Sequence, residues 1–257
     1  MHSLRQHLRH YAGHSTELDR TAGLIDPSSL NPLVPGSSQS TKDTTLSRTS
    51  PYDGIARTLI RPVFKKACAL RFMRPTVQDL IHQSRTQLDI EIVNAILEGA
   101  LRLVPADPSL QGTIIRKQAE AAKAAQAAKA ESAFVRKVRS YQSRLMDEDE
   151  QRRAIRAAID AGEGRIVRAT PDILFLEPTM ICGTRCKWIE YKNTLGFKDN
   201  PFVHKKHKQQ LRRYVDNFGN GMVVYKLGFE CNLMQVEGLA IQREAVVVGW
   251  LQSQSPL

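Results

Sequence analysis

Two stretches of the sequence place carboxylates and a lysine at a spacing that suits phosphodiester chemistry. Asp172 opens one short apolar run, and Glu190 and Lys192 stand two residues apart in a later run. Side chains alternate between the faces of a strand, so Glu190 and Lys192 share a face, and an adjacent strand can bring Asp172 beside them. Two such carboxylates repel each other and are tolerated where a divalent cation is shared between them. The neighbouring ammonium then supplies positive charge near an attacking water or a phosphate.

The segment after the second run adds polar groups that could face this cluster. Its periodicity predicts a helix over residues 202–218, and Gln210 and Tyr214 are four residues apart and therefore on one face. The helix is also strongly basic, which suits contact with phosphates and predicts salt-dependent binding. The residues assigned to nucleic-acid binding are Lys205, Lys206, Lys208, Arg212 and Arg213. A solvated helix face explains the lysines equally well.

An upstream helix is expected to supply a further carboxylate. Phe134 and Val138 recur at helical spacing on one face, and the acidic run 147–150 is predicted to end that helix. Glu148 is assigned to the cluster, but the spacing leaves the choice between Glu148 and Glu150 open.

The elements that position these residues form a predicted α/β domain over residues 132–257. Short β-rich runs bounded by Gly, Pro or Asn surround the basic helix. These runs cover residues 173–176, 187–191, 222–227 and 246–250. A hairpin turn is expected between the first two runs, around Gly183.

The chain ahead of this domain divides into three predicted parts. Residues 1–53 are rich in Ser, Thr, Pro and Gly, which predicts a disordered tail. Residues 54–104 have apolar positions three and four apart, which predicts several short helices and allows a helix-turn-helix. Residues 105–131 are predicted to be a linker and an Ala-rich helix with little to bury.

Composition limits the class of partner. The 257 residues include 37 Lys and Arg against 26 Asp and Glu, and the formal net charge of +11 favours a polyanion such as DNA. No apolar run approaches the roughly 18 residues of a membrane helix, so no membrane partner is expected. Four cysteines are too few for a disulfide framework, which predicts an intracellular protein with reduced thiols. Net charge does not separate an enzyme acting on nucleic acid from a protein that binds it.

Three motifs together resemble one known family. They read TPDI at 170–173, WIEYK at 188–192 and FGNGMVVY at 218–225. Their order and spacing resemble the TPD-motif proteins, a family that includes the codanin-interacting nuclease of animals. The acidic run near residue 148 also resembles that family's helix end. The resemblance covers about residues 134–235.

The resemblance implies a fold, an activity and a location. The fold would be the restriction-endonuclease-like PD-(D/E)XK class, with a mixed β-sheet flanked by helices behind an N-terminal helix-turn-helix-like region. The activity would be that of a Mg²⁺-dependent nuclease acting on DNA, with Mn²⁺ as a substitute. Residence would be nuclear, cytoplasmic or both, and a chromatin-associated, codanin-like partner is implied by the resemblance alone.

The residues take defined roles in this interpretation. Asp172 and Glu190, with the carbonyl of Tyr191 and with Glu148, would hold the metal. Lys192 would orient a water or stabilise developing charge. The two polar residues of the basic helix, Gln210 and Tyr214, would position the strand.

A second hypothesis belongs to another class of protein. A catalytically silent nuclease fold would act as a scaffold or as a nucleic-acid-binding module for such a partner. The presence of Asp172, Glu190 and Lys192 together favours catalysis, because a decayed site should have lost at least one of them. The residues do not distinguish DNA from RNA, endonuclease from exonuclease action, or one oligomeric state from another.

Overall fold

The structure is a computed structural model that describes residues 54–164, 166–200 and 204–254, without the side chains of His204 and Lys205. The predicted tail, residues 1–53, lies outside the described residues. Within them the protein is α/β, with a mixed five-stranded sheet and seven α-helices, so the predicted class is confirmed at that level.

Three helices form the first part of the described chain. They are α1 (Arg57–Leu70), α2 (Val77–Ser84) and α3 (Ile90–Leu101), with a 3-10 turn at Arg71–Met73. Thr76 caps α2 by accepting a hydrogen bond from the amide of Asp79, whose carboxylate bonds back to Thr76. Apolar side chains of the three helices form a common core, which is where the 3.6-residue periodicity of the sequence places them.

The helical part is joined to the sheet by contacts as well as by sequence. Leu195 and Phe197, from the loop that follows the third strand, are buried in the core of the helices. Arg57 pairs with Asp199 at 2.7 Å and approaches the buried carboxylate of Glu230 at 3.5 Å. The predicted helix-turn-helix role is not tested by this packing and stays a prediction.

A single long helix, α4 (Leu110–Tyr141), connects the two parts. It has 32 residues, or about 48 Å of rise, and it runs without a break through the predicted boundary at 131/132. Its Ala-rich first half is largely exposed, whereas Phe134 and Val138 near its end are buried against the sheet. No helix of the described ranges is long and apolar enough to cross a membrane.

The sheet follows the order of the chain. Its strands are β1 (Leu145–Asp147), β2 (Ile173–Ile181), β3 (Thr184–Lys192), β4 (Gly221–Tyr225) and β5 (Leu239–Arg243). The pairs β1–β2 and β2–β3 are antiparallel, and the pairs β3–β4 and β4–β5 are parallel. The remaining helices are α5 (Glu148–Asp160), α6 (His204–Phe218) and α7 (Glu244–Gln254). The strands expected near residues 173, 187 and 222 and the helix before Phe218 are confirmed.

Two expectations about the elements are wrong. The run 246–250 lies in helix α7, not in a strand, because Val247 and Leu251 are four apart and pack together onto the sheet. The fifth strand is the less apolar stretch just before it, Leu239–Arg243. The acidic run 147–150 does not end α4, which stops at Tyr141. Instead, it begins α5 through a reciprocal pair of cap hydrogen bonds.

Side-chain alternation divides the sheet into two covered faces. Ile173, Ile189 and Val224 point to one face, where α4 and α7 supply the facing side chains. Leu174, Trp188 and other residues of the opposite parity point to the second face, which α6 covers. Asp172, Glu190 and Lys192 have the parity of this second face.

Gly221 fixes how closely β4 approaches β3. Its register partner is Trp188, and a Cβ at Gly221 would lie 2.0 Å from the indole ring. The indole is fully buried and donates to the carbonyl of Gly219 at 2.9 Å, so it has no room to retreat.

We expect Gly221→Ala to destabilise the protein by about 1–3 kcal/mol, because overpacking forces buried groups apart. The free energy of unfolding from urea titration measures the change. Gly249→Ala is the control: Gly249 is in α7 with nothing within 4 Å of an added Cβ, and alanine there should raise the stability by about 0.5–1 kcal/mol. Equal effects at the two glycines would contradict the packing argument.

Candidate active site

Strand register and the start of α5 bring three carboxylates together. In the antiparallel pair β2–β3, Ile173 lies opposite Ile189, so the next position along places Asp172 opposite Glu190. In the pair β1–β2, Asp147 lies opposite Ile173, and the next residue, Glu148, begins α5 and lines a cavity with Asp172. Asp172 and Glu190 are therefore neighbours on β2 and β3, and Glu148 adjoins them; we call these three carboxylates the acidic row.

The β2–β3 hairpin pairs Ile181 with Thr184 next to its turn, and a register shift between Leu174 and Thr179 separates this part from the pairing of Ile173 with Ile189. Its turn residues, Cys182 and Gly183, both have positive φ angles, 48° and 73°, as a two-residue type I′ turn requires. The thiols of Cys182 and Cys186 lie in partly and fully buried surroundings, and burial raises the pKa of both. The turn predicted around Gly183 is confirmed.

Asp172 and Glu190 are buried beside each other. Their residues are 9% and 2% exposed. Asp172 accepts a hydrogen bond from the amide of Tyr191 at 2.6 Å. Glu190 accepts hydrogen bonds through Oε1 from Lys192 and, at 2.9 Å, from Gln210, whereas its other oxygen, Oε2, is buried without a hydrogen-bond partner in the described part of the chain.

The ionisation of this pair is strongly perturbed. Burial, together with the charges of Glu190 and Glu131, raises the pKa of Asp172 to about 8 against the opposing effects of the Tyr191 amide and Lys192. Burial likewise raises the pKa of Glu190, against the attraction of Lys192. Perturbed carboxylates of this kind are typical of catalytic and metal-binding sites.

A hydrogen-bond network ties the predicted helix residues to the pair. Gln210 accepts from Lys192 at 3.3 Å and donates to Glu190 and to the hydroxyl of Tyr214, both at 2.9 Å. Tyr214 donates to the carbonyl of Thr170 at 3.1 Å. The structure therefore brings together Asp172, Glu190, Lys192, Gln210 and Tyr214. Tyr191 contributes backbone only, because its ring stacks on Phe134 on the opposite face.

The structure separates the two candidates for the upstream carboxylate. Glu148 accepts a hydrogen bond from Thr170 at 3.2 Å, and its charge acts on the pKa of Glu190. Glu150 instead completes the α5 cap and pairs with Arg139 at 2.7 Å. Of these two residues, Glu148 is thus the one that belongs to the acidic row.

Glu131 is a further carboxylate at the site that the sequence reasoning missed. It belongs to α4 and lines, with Glu148 and Asp172, a cavity of about 230 Å³. Burial and the nearby charges of Glu148 and Glu190 raise its pKa. The signal that could have found it is its position three residues before Phe134, the side chain that packs α4 against β3.

The basic residues of α6 do not share one face. Helical geometry turns each residue by about 100°, which leaves Lys206 and Arg213 within roughly 60° of Gln210 but Lys208 and Arg212 on the far side. Lys206 and Arg213 are exposed. Lys205 lies in α6, and its side chain is outside the described part.

No group of three or more His, Cys, Asp or Glu side chains within the described residues is arranged to hold a metal ion. Glu131, Glu148 and Asp172 line one cavity, and Oε2 of Glu190 is buried without a hydrogen-bond partner in the described part of the chain.

Fold and site together define the class, an α/β protein whose mixed sheet carries a buried acid pair and a lysine. Helix α6 adds a glutamine and a tyrosine to the hydrogen-bond network of these residues. The chain belongs to the TPD sequence-motif family, described as proteins of unknown function, whose model matches residues 108–249, more than half of the chain. The matched range includes Thr170-Pro171-Asp172 and the whole sheet. No curated protein and no solved structure matches the chain.

The raised pKa of Asp172 gives a pH-dependent stability with a defined sign. A carboxyl whose folded pKa exceeds its ordinary value of 3.8 stabilises the fold most below that value and loses this contribution as the pH rises toward about 8. Without divalent cations, the stability of Asp172→Asn should therefore rise relative to wild type by up to about 1.4 kcal/mol for each pH unit in this window.

Urea unfolding of both proteins across the same pH series measures this difference. Asp160→Asn is the matched control, because Asp160 is exposed at the end of α5. A constant difference between Asp172→Asn and wild type at all pH values would show that Asp172 is ionised as in water.

Proposed function

We propose that the protein is a Mg²⁺-dependent nuclease of the PD-(D/E)XK class that hydrolyses phosphodiester bonds of DNA. The observation that carries the proposal is the burial of Asp172 and Glu190 side by side, with Lys192 hydrogen bonded to Glu190. A buried acid pair with a raised pKa is an unfavourable arrangement unless a cation or a proton is shared.

The architecture around the pair supports this class. Asp172 stands at the start of one strand, Glu190 and Lys192 stand on the next, and a hairpin joins the two strands. The helix that follows contributes Gln210 and Tyr214. This order is similar to the site pattern of the restriction-endonuclease-like nucleases.

The donor atoms fit a hard divalent cation. Carboxylate and carbonyl oxygens are the ligands that Mg²⁺ and Mn²⁺ prefer, and Oε2 of Glu190 is a buried acceptor without a hydrogen-bond partner. Asp172 and Glu190 would hold the ion, with Glu148 and the carbonyl of Tyr191 completing the set. When bound, such an ion lowers the pKa of a water and polarises a phosphate.

The other residues bind and orient. Lys192 carries positive charge next to the acid pair, where it would orient a water or stabilise the charge that develops on the phosphate. Gln210 holds Lys192 and Glu190 in one hydrogen-bonded group, so the ammonium is positioned before substrate binds. Tyr214 fixes Gln210 and anchors it to the backbone of Thr170.

The first test is cleavage of a panel of single-stranded, duplex, flapped and branched DNA with Mg²⁺ or Mn²⁺. We expect wild type to cleave at least one substrate, and Glu190→Gln and Lys192→Met to lower the single-turnover rate by about 10²–10³-fold, because each removes charge that acts on the transition state.

Glu177→Gln is the matched control for the loss of a carboxylate. Glu177 lies on β2 but is 60% exposed and pairs with Arg144, outside the acidic row. Its rate should equal that of wild type. Cleavage by Glu190→Gln at the wild-type rate would refute the assignment, and the absence of metal-dependent cleavage of every substrate would favour a scaffold.

The second test is independent of turnover. A cation that binds the folded state alone stabilises it, by about 2.7 kcal/mol at a hundred times its dissociation constant. Mg²⁺ should therefore raise the unfolding temperature of wild type in a saturable way but leave that of Glu190→Gln nearly unchanged. An equal rise in both proteins would place the cation elsewhere.

A further inference from the structure

Helix α5 carries arginines on the side that begins at the acidic row. Glu148, Arg152 and Arg156 follow one another at intervals of four residues and therefore lie along one face of α5. Arg152 donates from Nη2 to Glu148 at 2.6 Å. Arg156 donates from Nε to the carbonyl of Arg152 at 3.4 Å, so its side chain runs back toward Arg152.

Arg152 adjoins the candidate site through its ion pair with Glu148. Its partner Glu148 belongs to the acidic row and is held by Thr170. The hydrogen bond to Glu148 and the charge of that carboxylate, and more weakly the charge of Asp149, raise the pKa of Arg152. Arg152 therefore stands close to a carboxylate of the row.

The guanidinium of Arg152 can bind a further anion. A guanidinium has five N–H donors, and a single side-chain hydrogen bond of Arg152 is found in the described part of the chain. The side chain is 57% exposed. A solvent-exposed ion pair contributes little stability, so a phosphate can share or replace Glu148 as a partner. Arginine also binds phosphate through two parallel hydrogen bonds.

A substrate phosphate needs such a partner at this site. The carboxylates of the acidic row and Glu131 offer no hydrogen-bond donor to a phosphate and, when ionised, repel the DNA backbone. On α6, Lys206 and Arg213 lie toward Gln210, whereas Lys208 and Arg212 point away from it. Lys206 and Arg213 of α6 therefore lie together on one side of Gln210, whereas Arg152 of α5 lies beside Glu148.

We propose that Arg152 and Arg156 bind the phosphodiester backbone of the DNA substrate next to the acidic row. The inference rests on the proposed nuclease function and deepens it, because it assigns the backbone contact to α5 in addition to the basic helix α6. The ligand recognised is the phosphate backbone, so these residues do not select a base sequence.

The test is the salt dependence of DNA binding. Binding of a fluorescein-labelled DNA duplex is followed by anisotropy over a series of KCl concentrations, with Ca²⁺ in place of Mg²⁺. Arg152→Gln should weaken binding about tenfold and reduce the slope of log K against log salt by about one, since one phosphate contact is lost. The double variant Arg152→Gln, Arg156→Gln should reduce that slope by about two.

Arg153→Gln is the matched control, with the same charge loss at the adjacent residue. Arg153 is exposed and lies about 100° around α5 from Arg152, so the slope should stay at the wild-type value. Arg152→Lys keeps the charge and should keep the slope, and circular dichroism verifies that each variant is folded.

Two results would overturn the proposal, and they differ in what else they exclude. If wild type binds and cleaves DNA but Arg152→Gln and Arg153→Gln have the same affinity and slope, the backbone contact is wrong while the nuclease function stands. If wild type neither binds nor cleaves DNA under any of these conditions, both proposals fail.

Discussion

Asp172 and Glu190 occupy neighbouring positions on two strands, in a region from which water is largely excluded. A buried carboxylate is unfavourable unless hydrogen bonds or opposite charges accompany it. The amide of Tyr191 donates a hydrogen bond to Asp172, and Lys192 and Gln210 donate hydrogen bonds to Glu190. These partners come from β3 and α6, so the site constrains both the hairpin register and the position of α6 over the sheet.

Local patterns in the sequence predicted which site residues of a single strand or helix share a face. Glu190 and Lys192 share a face because they are two apart on a strand, and Gln210 and Tyr214 do so because they are four apart on a helix. Glu131 escaped prediction, since its approach depends on how α4 crosses the end of the sheet. The error at 246–250 has a related cause: a run of β-branched residues favours a strand locally, but packing onto the sheet favours a helix there.

The loop after β3 links the site to the N-terminal helices. Within a few residues of Lys192 the chain enters the helical core through Leu195 and Phe197, and Asp199 then pairs with Arg57. The helices make a second contact at Glu230, because Arg57 approaches its carboxylate. The same carboxylate accepts a hydrogen bond from the amide of Lys198. The helical part thus supports the loop that leaves the site, and it is not an independent appendage of the α/β part.

The contact between Gly221 and Trp188 bears on how the chain avoids a misaligned sheet. Parallel strands with apolar side chains on both faces offer little to distinguish one alignment from the next, and a shift by one residue reverses every side chain. Such a slip of β3 would exchange Glu190 with Tyr191 and drive a carboxylate into the apolar layer beneath α4 and α7. A side chain at Gly221 would collide with the indole of Trp188. The hydrogen bond from the indole to the carbonyl of Gly219 holds the ring at one position along the strand. Gly221 of β4 therefore helps to fix the register of β3, the strand that carries Glu190.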